Sequence, residues 1–218
     1  MNQLVFKFPF KTTYFEKDFF VSKNNFEAYK LIESWPKWTD KKINIFGPSG
    51  CGKTHLINIL GKKLKLLSIN SNNFDEKINY LVENYDCIVI ENYNGNINEN
   101  LLYSFINQVS QLNKILIINS FESIKSFSIN LIDLKSRLNS FVEIQIGLPT
   151  DDLIRVIISK TFSDKQIELN KKNLEFIIKN IERSYEKIFK FTKDIDSLSL
   201  STGKSININL IKKVLFNE

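Results

Sequence analysis

Apolar residues follow two rhythms along this chain, and the change between them divides it. Up to about residue 148, short apolar runs alternate with stretches of helical spacing. Ile43–Phe46, Leu64–Ile69, Tyr85–Glu91, Ile115–Ile118 and Val142–Ile146 read as strands. Their near-continuous apolar character suits a parallel sheet covered on both faces. Phe26, Ala28, Tyr29, Leu31 and Ile32 fall at helical spacing, as do Leu56, Ile57, Ile59 and Leu60. Further helices are expected over 74–82, 97–112 and 131–138. From residue 150 onward the pattern is helical only. Thr150 or Asp151 can cap a helix carrying Leu153, Ile154, Ile157 and Ile158, and others follow over 171–181, 184–200 and 206–216. Alternating strands and helices followed by helices alone predict an α/β core with a five-stranded parallel sheet and a small all-α unit after it.

The first residues stand apart. Leu4, Phe6 and Phe8 alternate with Val5 and Lys7, and Pro9 ends the run. Such a segment can pair with a sheet edge of its own domain or dock as an extended peptide in another protein's groove.

Between the first predicted strand and its helix lies Gly47-Pro48-Ser49-Gly50-Cys51-Gly52-Lys53-Thr54, which fits G-x-x-x-x-G-K-[ST] in full. Strand, glycine loop and helix are the context this phosphate-binding pattern requires. Glycines let backbone N–H groups turn toward a phosphate chain, and the helix N-terminus adds positive potential. Lys53 supplies a point charge for the β and γ phosphates, and the Thr54 hydroxyl can ligate Mg²⁺. The expected ligand is ATP or ADP with Mg²⁺. The third strand ends at Glu91, a carboxylate placed to serve the same metal. Asn92 follows where a second acid would activate water, so unaided hydrolysis should be slow. Asn119, at the end of the fourth strand, can reach the γ phosphate or the attacking water. His55, the one histidine, reads as packing beside the loop.

The 218 residues carry a net charge of +6 and are 43% hydrophobic. No run suffices to cross a membrane and no signal peptide pattern is present. Cys51 and Cys87 form neither a zinc pattern nor a disulfide framework, so a cytoplasmic location is expected. Abundant Lys, Asn, Ile and Phe with a single alanine, Ala28, look like the codon bias of an AT-rich genome, which weakens the positive charge as a sign of nucleic acid. That bias leaves three arginines, Arg137, Arg155 and Arg183. Where lysine is the default cation, an arginine suggests a need for guanidinium geometry.

The phosphate loop, acid-ended third strand, polar fourth strand end, arginine before the fifth strand and helical lid together resemble an AAA+ ATPase. Within that group, Phe-Phe-Val-Ser-Lys-Asn-Asn at 19–25, the 47–56 segment, Asp-Leu-Lys-Ser-Arg-Leu at 133–138 and Pro-Thr-Asp-Asp at 149–152 resemble the replication initiator DnaA and its shorter relatives of the Hda family. The resemblance divides the chain into a flexible clamp-binding peptide (1–13), a nucleotide-binding core (14–148) and a lid (149–218). The sequence ends with the lid, where DnaA would continue into a helix-turn-helix domain. Gln3-Leu4-Val5-Phe6-Lys7-Phe8 is similar to the peptide by which Hda binds the β sliding clamp. There Gln3 would make polar contacts, and Leu4, Phe6 and Phe8 would be apolar anchors.

In that family, the complex with the DNA-loaded clamp makes ATP-bound DnaA hydrolyse its nucleotide, which switches the initiator off. Arg137 matches the family's arginine finger, acting in trans on the nucleotide of DnaA. DNA would be met mainly through the clamp, and the finger face leaves a homodimer open. The lid arginine of the family falls at Glu186 here, while Arg183, one helical turn away, could contact nucleotide in its place or only pack. With Asn92, this implies weak hydrolysis alone and ADP as the resting ligand. A stand-alone ATPase such as a helicase loader, or a DNA-tethering factor, is the alternative.

Overall fold

The computed structural model describes residues 19–167, 169–203 and 205–216. The expected clamp-binding residues Gln3, Leu4, Phe6 and Phe8 lie outside them. The described residues fall into two compact units, one running through Gly147 and the other starting at Leu148.

The first unit holds a five-stranded parallel sheet made of β1 (Lys42–Phe46), β2 (Leu66–Asn70), β3 (Cys87–Tyr93), β4 (Ile115–Ser120) and β5 (Val142–Gln145), in the order β2-β3-β4-β1-β5. Its helices are α1 (Phe26–Glu33), α2 (Lys53–Leu60), α3 (Glu99–Gln111) and α4 (Ile132–Asn139). β4 is buried at every position, as its unbroken apolar run requires. Phe105 and Val109 of α3 close over Ile88, Ile90, Leu116 and Ile118 of the sheet, each such side chain contributing about 1.5–3 kcal/mol.

Asn44 interrupts the apolar run of β1 and is fully buried, but its amide is satisfied. Nδ2 donates to the Ile118 carbonyl at 2.8 Å and to Ser120 Oγ at 2.9 Å, and Oδ1 accepts from the Ile124 N–H at 3.1 Å. Asn44 thereby fixes the end of β4 against β1. Glu99, in the first turn of α3, accepts from the backbone N–H groups of Asn130 and Leu131 and so sets the start of α4.

The helix expected over 74–82 does not form. Two 3-10 segments, Glu76–Tyr80 and Val82–Asn84, stand in its place. The Asp75 carboxylate accepts from the Lys77 N–H at 2.9 Å, so a side chain captures a backbone donor at the point of nucleation. Ile78 and Val82 are still buried, which shows why the spacing looked helical.

The second unit consists of α5 (Asp151–Asp164), α6 (Lys171–Asn180), α7 (Tyr185–Thr202) and α8 (Ile208–Phe216). Ile154, Ile158, Phe162, Ile177, Ile188 and Ile211 are central to its core. Thr150 caps α5 and Asn170 caps α6, each accepting from a backbone N–H three residues on. Gly203, at φ 64°, ends α7 in the left-handed conformation. No helix among the described residues is long and apolar enough to cross a membrane.

Candidate functional site

The segment from Gly47 to Thr54 leaves the C-terminal end of β1 and enters α2 with no turn to spare. Gly50 and Gly52 have φ of 79° and 102°, which side-chain-bearing residues rarely adopt. At Gly47 the constraint is space: an added Cβ would lie 2.4 Å from the Ile146 carbonyl oxygen. At Gly52 it would lie 2.9 Å from Phe19 Cε2. The loop is therefore held tightly on two sides. Pro48, Ser49 and Gly50 lie on its outer turn, and Cys51 is buried beneath it. Burial pushes the Cys51 thiol up, an effect that the nearby Lys53 partly offsets.

Lys53 opens α2 and folds back over the loop. Its Nζ donates to the carbonyl oxygens of Gly47 at 2.7 Å and Pro48 at 3.1 Å. Thr54 is exposed one residue on, and its Oγ1 lies 3.4 Å from Oε2 of Glu91. Glu91 is buried at the end of β3. Its Oε2 accepts from Asn119 Nδ2 at 3.0 Å, and its Oε1 lies 3.4 Å from Ser68 Oγ on β2. Four strands and one helix N-terminus thus converge at the C-terminal edge of the sheet, where open α/β sheets bind ligands. The expected residues Lys53, Thr54, Glu91 and Asn119 are brought together. Ser68 joins them unforeseen, because a serine inside a short strand carries no distinctive signal.

Asn119 is fully buried, yet its Oδ1 has no hydrogen-bond partner. An orphaned buried acceptor is costly and marks a place where a polar ligand or water belongs. The donors around Thr54 and Glu91 are oxygens, a set that suits a hard cation completing its shell with water and phosphate oxygens.

β3 breaks register with β4 between Ile90 and Tyr93, and Asn92 takes φ 57° with its side chain exposed. The Asn92 carbonyl is pinned by the Ser71 hydroxyl at 2.9 Å. The bulge lets Glu91 face inward and turns Asn92 outward. His55 lies edge-on to Phe19 with 5.3 Å between ring centres, and Phe19 stacks on Tyr29 at 5.8 Å. This aromatic cluster holds residues 19–29 against the start of α2. Phe19, adjoining Gly52, is a second residue that the sequence reading did not single out.

The three arginines differ in their surroundings. Arg155 binds Glu175, and Arg183 donates to Asp151 at 2.7 Å. Arg183 thus holds a carboxylate within the helical unit, and Glu186 is exposed in the first turn of α7. Arg137 sits on the exposed face of α4, opposite the buried Leu134 and Leu138. Its guanidinium has no hydrogen-bond or salt-bridge partner among the described residues.

The sequence profile of the bacterial DnaA ATPase domain matches residues 10–145. No curated protein sequence matches the chain. Among solved structures, domain III of the Thermotoga maritima replication initiation protein DnaA aligns over 96% of this chain and 98% of that one, with TM-score 0.79 and 19% identity. A replication initiator DnaA bound to AMPPCP and single-stranded DNA aligns over 87% of this chain, which spans 66% of it, with TM-score 0.70 and 19% identity. The Thermotoga maritima RuvB Holliday junction branch migration motor aligns over 88% of this chain and 65% of its own, with TM-score 0.62 and 18% identity. At these identities the likeness is one of fold.

Proposed function

The chain belongs to the bacterial DnaA ATPase-domain family, and from that membership we propose that it is a nucleotide-dependent regulator that makes DnaA hydrolyse ATP. The observation that carries this reading is the contrast among its arginines. Arg155 and Arg183 each hold a carboxylate, whereas Arg137 is exposed and unpaired on a helix whose other face is fixed in the core. A guanidinium kept free in this way suits insertion into another protein's nucleotide site. There it would offset the charge of the transition state, an effect worth about three to five orders of magnitude in nucleotide hydrolases.

In this reading the chain's own site holds nucleotide without turning it over efficiently. The loop's backbone N–H groups and Lys53 would hold the phosphates, and Thr54 and Glu91 would hold Mg²⁺, which supplies charge neutralisation between phosphate oxygens. The Asn119 amide orients Glu91. Asn92 has no basic group to activate water, and the bulge turns it away from Glu91. A DnaA solved with AMPPCP supports an adenine nucleotide as the ligand. Gln3, Leu4, Phe6 and Phe8 would bring the chain to the sliding clamp, placing the protein of the Hda type in the cytoplasm with the clamp and DnaA as partners. A single-turnover assay of ATP-loaded DnaA tests the reading, with this chain added in the presence and absence of DNA-loaded clamp. Acceleration that needs both is expected. Fast turnover by the chain alone, with no effect on DnaA, would contradict it.

A further inference from the structure

The helical unit carries a face that the nucleotide site and Arg137 leave unused. Lys171, Lys172 and Lys179 of α6 and Lys212 of α8 are exposed around Phe176, and none has an acidic partner among the described residues. Lys212 Nζ lies 5.9 Å from the Phe176 ring centre, and Phe216 meets that ring edge-on at 6.5 Å. Phe216 is 47% exposed. The one carboxylate on this face, Glu175, is held by Arg155, whose hydrogen bond keeps it below the usual carboxylate range. Lys171 and Lys172 occupy the first turn of α6, where the helix dipole disfavours cations and α6 has no acid to balance them.

From this combination we infer that the α6–α8 face is a binding site for a single-stranded nucleic acid, with lysines on the phosphates and Phe176 and Phe216 as the apolar platform for bases. The charge is laid out along a line: Lys172 and Lys179 are seven residues apart on one helix, a separation of roughly 10 Å. A line of single charges beside exposed rings matches a strand that repeats a phosphate and a flat base at every step. The inference rests on α6 and α8 alone and stands whether or not Arg137 acts on DnaA.

The test is fluorescence anisotropy of a labelled 20-mer of deoxythymidine with the full chain, across a salt series. Each phosphate neutralised on a single strand contributes about 0.7 to the slope of log affinity against log salt. Replacing Lys171, Lys172, Lys179 and Lys212 with Gln should weaken binding at least about tenfold at low salt and flatten that slope by about two to three. Phe216→Ala should weaken binding about tenfold without changing the slope. A control variant, with Lys37, Lys77, Lys190 and Lys193 changed to Gln, should bind nearly as well as the unaltered chain. Equal loss in the control would reduce the binding to diffuse charge and overturn the inference. Unchanged affinity in Phe216→Ala would remove the rings from the site and do the same. Polyglutamate competing as well as the oligonucleotide at equal charge would assign the face to acidic peptides.

Discussion

Asn119 on β4 donates its side-chain amide to Oε2 of Glu91 on β3 at 3.0 Å, although 28 positions separate them. The bond holds a buried carboxylate toward Thr54 and leaves Asn119 Oδ1 unpartnered. Asn119→Ala removes a donor from a buried charged acceptor and should cost about 1–3 kcal/mol in urea unfolding. Asn119→Asp sets a second carboxylate beside the first and should cost more. Both variants should show a smaller rise in melting temperature on adding Mg²⁺ and ADP than the unaltered chain.

Lys53→Ala should separate binding from folding. The ammonium contacts only carbonyls of the loop and the Cys51 sulfur, so stability should change by about 1 kcal/mol or less. Affinity for ATP, measured by calorimetry, should fall about a hundredfold or more, because the charge facing the phosphates is lost.

Gly47→Ala should act on the fold itself. Its Cβ would meet a backbone carbonyl oxygen, that of Ile146, which cannot swing away as a flexible side chain would. A loss of about 3 kcal/mol in urea unfolding is expected. Gly52→Ala meets the Phe19 ring instead and keeps φ near 102°, so a smaller loss of about 1–3 kcal/mol is expected.

Much of this site was legible in the sequence because it is local. Gly47 to Thr54 announces its own backbone, and the apolar runs place it between a strand and a helix. Glu91 and Asn119 are predicted as strand ends for the same reason. Their contact is not local. It depends on β4 lying beside β3 and also beside β1, a sheet order that no stretch of sequence states. The bulge that turns Asn92 outward depends on pairing with β4 and on the Ser71 hydroxyl, so residue identity foretold the missing base but not its orientation. At 74–82 the apolar spacing misled because Asp75 bonds the backbone locally, which spacing cannot register.

Stability should decline in alkaline solution. Burial, with a smaller contribution from the Asp86 charge, pushes the Cys87 thiol far above its ordinary value of 9.0. Burial and then the Glu99 charge push Tyr93 up to about 12. Both folded-state values are raised, so their contribution is complete below the unfolded values and is lost as pH rises. Above about pH 9 the unfolded chain releases a thiol proton that the folded chain keeps, lowering stability by up to about 1.4 kcal/mol per pH unit. Cys87→Ala should flatten the fall between about pH 9 and 11 in urea unfolding.

The account turns on Arg137 acting outside its own chain, and the direct measurement is single-turnover ATP hydrolysis by DnaA with the DNA-loaded clamp and either this chain or its Arg137→Ala variant. The exposed side chain adds little to folding, so the variant should melt within about 0.5 kcal/mol of the unaltered chain. The account predicts that it leaves DnaA at its unstimulated rate, a loss of about a thousandfold or more where stimulation is complete. Full stimulation by Arg137→Ala would contradict it.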